Sequence, residues 1–137
     1  MGKLIFFAII GAIFYIVVWP NLGGAKDRAF GMQSAMELER FLKDVKEYQE
    51  LRGDLTTIKD MSFVRNFSDV NAKFELDQSI TYGVYLKGVF KPCINLILRE
   101  SDGKKYIQIQ DLKSQDAICE EFVKRPEVTK FNNRYDL

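Results

Sequence analysis

The chain predicts an α+β fold: an N-terminal membrane helix continues into an amphipathic helix, which packs on a small antiparallel sheet beside a short C-terminal helix. Three observations predict it. Residues 4–19 are apolar and carry no charge. Residues 27–52 repeat apolar side chains at the helical period of three to four. Residues 94–110 hold two strand-like runs on either side of Asp102-Gly103, a tight-turn pair.

The apolar stretch comes first. As a helix it rises roughly 1.5 Å per residue, and a bilayer core takes ~17–25 apolar residues. Met1, Gly2, Pro20 and Leu22 bring it into that range. Lys3 and the amino terminus favour an N-inside orientation, but Lys26 and Arg28, partly offset by Asp27, flank the other end and leave the charge rule ambiguous; the cysteine pair breaks the tie in favour of export. Tyr15 and Trp19 lie toward the outer end, where aromatic rings favour the interface. Residues 20–24, Pro-Asn-Leu-Gly-Gly, form a breaker cluster. Gly23-Gly24-Ala25 also fits a signal-peptidase site with cleavage after Ala25. Residues 1–25 are therefore an anchor or a signal sequence, and residues 26–137 are one exported α+β domain. Ala8, Gly11 and Ala12 offer a small-residue face for helix packing in the membrane.

In the amphipathic segment Ala35, Leu38, Leu42 and Val45 form the inner stripe, widened by Phe41 and Tyr48. Glu37, Glu39, Lys43, Lys46, Glu47 and Glu50 fill the other face, with Glu39 and Lys43 at pairing distance. Gly53 is the natural stop. Residues 58–65 read as a short helix behind Thr57. Strand patterns follow at 73–76, 80–90, 94–99 and 105–110, with Gly83 and Gly88 marking bends or bulges. Residues 114–124 read as a terminal helix capped by Ser114, with Asp116 in its first turn and Pro126 as its end. The tail is polar, with Val128, Phe131 and Tyr135 as its apolar anchors.

Composition narrows the function classes. The net charge of +1 gives no field that points to nucleic acid. There is no histidine, which removes the commonest general base, the usual serine triad and most zinc catalysis. Paired carboxylates such as Glu120-Glu121 fall on a helix surface. No base accompanies a nucleophile, so the chain is expected to have no catalytic, cofactor-binding or metal set and not to be an enzyme. The only cysteines, Cys93 and Cys119, lie in the exported part. There they most simply form one disulfide; free buried thiols and a metal site are the alternatives. A hairpin centred on Asp102-Gly103 brings Cys93 near Leu112, and the following helix can fold Cys119 back across the sheet edge.

This layout resembles the type IV pilins and the pseudopilins of type II secretion. Residues 48–55, Tyr-Gln-Glu-Leu-Arg-Gly-Asp-Leu, look like the segment that closes the long helix in that family. Ile107-Gln108-Ile109, followed by residues 116–123 around Cys119, looks like the last strand and second cysteine of minor pilins. Two features depart from the family: Lys3 follows Gly2 where the family is cleaved, and Phe7 stands where members carry glutamate. The resemblance implies a structural or accessory subunit of a bacterial envelope filament, secretion or DNA-uptake machine. It implies a single pass in the inner membrane with the N-terminus cytoplasmic, and the domain periplasmic or extracellular. Partners would be other pilin-like or envelope-complex proteins and the membrane, with no nucleic acid and no small-molecule substrate. A membrane-anchored or secreted periplasmic domain that binds a protein partner is the other reading.

Overall fold

The structure is a computed structural model that describes the backbone of residues 2–137, and the side chains of Ile5, Ala8, Ile9 and residues 26–137. The elements run α1 (Gly2–Arg52), α2 (Ile58–Met61), β1 (Ser79–Leu86), β2 (Val89–Ser101), β3 (Lys104–Asp111), α3 (Ala117–Lys124), α4 (Pro126–Thr129) and β4 (Arg134–Asp136). The four strands form one antiparallel sheet in the order β1-β2-β3-β4. The expected α+β architecture is present, with a long helix lying on an antiparallel sheet.

α1 is a single 51-residue helix, ~76 Å long at ~1.5 Å per residue. It runs on across Pro20, Gly23 and Gly24, where the sequence marks a break. One proline and two glycines cost a helix a few kcal/mol locally, and turns already formed on both sides outweigh that. Among the described residues no helix is long and apolar enough to cross a membrane, so the membrane-helix part of the expected fold draws no support from them. Most of the 4–19 stretch, with Gly11 and Ala12, lies outside the described side chains; Ala8 is exposed.

The C-terminal half of α1 behaves as its periodicity requires. Ala35, Leu38, Phe41, Leu42 and Val45 are fully buried, and Tyr48 packs partly against the same core. They meet Ile80, Tyr82 and Val84 of β1, Ile94, Leu96 and Leu98 of β2, and Ile107 and Ile109 of β3. These strand residues alternate with outward ones, as a pleated sheet with one wet face demands. Phe41, Phe67 and Tyr82 stack edge-on at the centre, with ring centroids 4.6 and 4.8 Å apart. Gly53 ends α1 at φ 83°, its N–H donating to the Gln49 carbonyl at 2.8 Å.

Four local expectations are corrected. The helix expected at 58–65 stops at Met61, because Ser62 is extended and its hydroxyl donates to Asp44 Oδ2 at 2.5 Å. The strand expected at 73–76 is two isolated bridges, Thr57 with Lys73 and Leu76 with Leu98. The run 80–90 is not one strand: Lys87 and Gly88, at φ 52° and 79°, turn the chain between β1 and β2. This is the same primed hairpin geometry that Asp102 (φ 53°) and Gly103 (φ 77°) adopt between β2 and β3. The tail is not merely anchored by side chains. It doubles back after α4 and adds β4 to the free edge of β3.

Leu42→Asp puts an unpaired charge at a fully buried position and is expected to destabilise the fold by several kcal/mol, whereas Lys46→Ala on the exposed face should cost less than about 0.5 kcal/mol. Thermal melts of the two variants check this; equal shifts would place the buried stripe of α1 wrongly.

Candidate functional site

Two places concentrate specific geometry: the cysteine bridge and a groove along α1. The bridge begins with a register shift. Tyr82 pairs with Ile94, but Gly83 pairs with Pro92, so Cys93 is the extra residue of a β-bulge. A bulge re-aims a side chain; here Cys93 and its neighbour Ile94 are both buried. Gly83 makes the bulge possible, since a Cβ there would lie 1.8 Å from the Lys91 carbonyl oxygen.

Cys93 is bonded to Cys119 of α3, with the two Cα atoms 5.1 Å apart and 26 residues between them in sequence. This is the pairing the composition favoured, and it leaves no free cysteine. α3 is placed from both ends of its first turns. Asp116, not Ser114, is its N-cap: Asp116 Oδ1 accepts from the Ile118 N–H at 2.9 Å, while Ser114 Oγ only accepts from the Asp116 N–H. Asp116 Oδ2 also accepts from Lys91 Nζ at 2.6 Å. The Lys91 ammonium, and the backbone N–H of Ile118 after it, hold the Asp116 carboxyl below its ordinary value near 3.8 against the opposing effect of burial. α3 then lies against α1 at Gly31, where a Cβ would sit 3.0 Å from the Phe122 nitrogen. Pro126, expected as a stop, is the first residue of α4.

The groove has a volume of about 750 Å³. Its walls are Phe30, Met36 and Arg40 of α1, Phe63 and Arg65 of the following loop, and Tyr85 of β1. Glu37 builds it. Its Oε1 accepts from the N–H groups of Arg65 at 3.1 Å and Asn66 at 3.0 Å, and the Arg40 guanidinium donates to the Phe63 carbonyl. Asn66 then covers the edge of β1, its carbonyl accepting from the Gly83 N–H at 2.9 Å and its Oδ1 from the Tyr85 N–H at 3.3 Å. Underneath, the Tyr82 hydroxyl donates to the Ser34 carbonyl at 2.6 Å. Burial, and then the Glu37 charge, push the Tyr82 phenol well above its ordinary range, so it stays a donor.

The groove was not visible in the sequence. Glu37 read there as one of the charges on the outer face of the helix, and Phe63 as part of a helix. The one available signal was a large apolar residue, Phe63, beside Arg65 in a segment with no strand pattern. Among the described residues no three of the Cys, Asp and Glu side chains gather in a way that could hold a metal ion. The cysteines come together as expected; of the small-residue face only the Ala8 side chain is described, and it is exposed.

No family model, no curated protein and no solved structure matches the chain.

Reduction, or Cys119→Ser, is expected to lower the denaturation midpoint by about 3 kcal/mol of stability, and to expose α3 to proteolysis before the β2–β3 hairpin. Thiol titration of the denatured, unreduced protein should find no free thiol. The Asp116 carboxyl has its pKa lowered on folding, so the stability it confers is present above its ordinary value near 3.8 and is lost as the pH falls through the lowered one. Asp116→Asn keeps a capping oxygen but loses the charge. It should therefore cost about 1 kcal/mol near neutral pH and nothing well below that value, as read from melts across pH.

Proposed function

We propose that the chain is a structural or accessory pilin-like subunit of a bacterial envelope filament, secretion or DNA-uptake machine. One observation carries the reading: α1 is one continuous helix, Gly2–Arg52. Its first part, charge-free over residues 4–19, presents Ile5 and Ile9 at 63% and 54% exposure, and its last part is the spine of a disulfide-closed domain. A helix of that kind joins an apolar assembly at one end to a folded head at the other. On this reading residues 1–25 are kept as an inner-membrane anchor, with the N-terminus cytoplasmic, the head periplasmic or extracellular, and other pilin-like subunits as partners. Ala8, Gly11 and Ala12 would then provide the close-approach face between anchors. The work of such a subunit is packing, which requires no cofactor and no reaction. Phe7, in the place of the family's glutamate, suits an accessory position rather than the main polymer.

The groove favours the second reading, an anchored periplasmic domain that binds a protein partner. The two separate by experiment. The first expects the chain in sheared surface filaments, with its intact N-terminus read by mass spectrometry. Recovery only in washed membranes favours the second, and a soluble chain beginning at Lys26 overturns the anchor in both.

A further inference from the structure

The turn between β1 and β2 is apolar on both of its faces. Tyr85 pairs with Phe90 and Leu86 with Val89, and Lys87-Gly88 closes the loop. Neighbouring pairs in a ladder point to opposite faces. The Tyr85 and Phe90 rings therefore pack on one face, with centroids 4.9 Å apart, and Leu86 and Val89 stand on the other. Val89 is 61% exposed and Tyr85 39%, while Leu86 and Phe90 are half-buried. Residues 79–99 contain no Asp or Glu. A hairpin end that meets water has use for one apolar face at most. The turn at the opposite end of the sheet shows the contrast, since Glu100, Ser101, Asp102 and Lys104 are all polar and exposed.

The position of the β1–β2 turn says what covers it. The Tyr82 hydroxyl donates to the Ser34 carbonyl of α1, and further along β1 Val84 and Tyr85 share a groove with Phe30. β1 thus advances toward its turn as α1 is followed back toward its N-terminus. Five strand residues at ~3.3 Å carry the chain ~16 Å from Tyr82 to Lys87, a distance that takes about eleven residues of helix. The turn therefore stands near the level of Gly23 to Lys26. There the charge-free run that begins at Leu4 meets its first charge, Lys26. Charge selects nothing at this level: Lys26, Arg28 and Lys87 are exposed, Asp27 lies between the first two, and Lys91 matches the Asp116 carboxylate at 2.6 Å. The selecting feature is an apolar wedge with two aromatic rings, set where an apolar helix ends.

We propose that the β1–β2 turn is a second membrane contact, seated in the headgroup layer of the bilayer that holds residues 1–25. This contact rests on the anchor reading given above. Tyr85 and Phe90 supply rings of the kind that favour the interface, Leu86 and Val89 reach toward the acyl boundary, and Lys87 extends its ammonium to the lipid phosphates. A single helix leaving a membrane lets its head tilt freely, and a second contact fixes the tilt. The turn needs little affinity of its own, because the anchor holds it beside the surface at a high effective concentration.

The test uses the full chain reconstituted in vesicles of phosphatidylethanolamine and phosphatidylglycerol. The photoreactive residue benzoylphenylalanine replaces Phe90 or, as the control, Tyr106, which pairs with Arg99 nine residues further along β2. Flotation on a sucrose gradient reads the anchor first. The chain is expected to float, and irradiation should give lipid adducts at position 90 at least about tenfold above those at position 106. Val89→Asp changes an exposed side chain that the core does not use. It should cut the adducts at position 90 about tenfold and leave flotation and the melting midpoint unchanged. A chain that fails to float overturns the anchor and this contact with it. A floating chain with equal adducts at 90 and 106, with cross-links from 90 to protein in place of lipid, or with adducts indifferent to Val89→Asp overturns the contact alone and leaves the anchor standing.

Discussion

The fold depends on one close approach, that of the Gly83 backbone to the Lys91 carbonyl. A side chain at position 83 has no room, and without that contact the β1–β2 ladder would keep an even register. The bulge sets Cys93 out of the ladder, where its sulfur reaches α3. Lys91, two residues before it, meets the Asp116 cap of the same helix. Two contacts to α3 thus come from one irregularity in one strand. α3 in turn fills the space beside α1, where Gly31 lets its backbone come near. A regular hairpin would bury the same strand residues and leave α3 to hold on by Ile118 and Phe122 alone.

α1 supplies the second constraint, and it does so with two kinds of chemistry on neighbouring rows. The row of Leu38, Phe41, Leu42 and Val45 removes apolar surface from water. The row of Glu37, Arg40 and Asp44 provides hydrogen-bonding partners to the 62–66 segment, which has no ladder of its own. Backbone groups in a loop pressed against a core need such partners, because a buried unpaired group costs more than the bond returns. Glu37 therefore does for the loop what a neighbouring strand would have done. The loop passes the favour on, since Asn66 satisfies β1 at its open edge.

What could be read from the sequence follows from the same division. Periodicity reports burial, so the inner stripe of α1, the Asp102-Gly103 hairpin and the alternation of Ile107 and Ile109 were legible. The cysteines were legible because only two exist. The bulge was half legible: Gly83 marked an irregularity but not which strand would carry the extra residue. The Lys87-Gly88 turn was half legible too: Gly88 marked a bend or bulge, but Lys-Gly is a weaker turn signal than Asp-Gly, so the strand reading ran on to Phe90. The cap of α3 was misplaced by two residues because Ser114 and Asp116 are both good caps, and only the position of Lys91 across the bulge decides between them. The groove was illegible because it rests on long-range bonds from helix carboxylates and guanidinium groups to loop backbone, and no local pattern marks a side chain for that use.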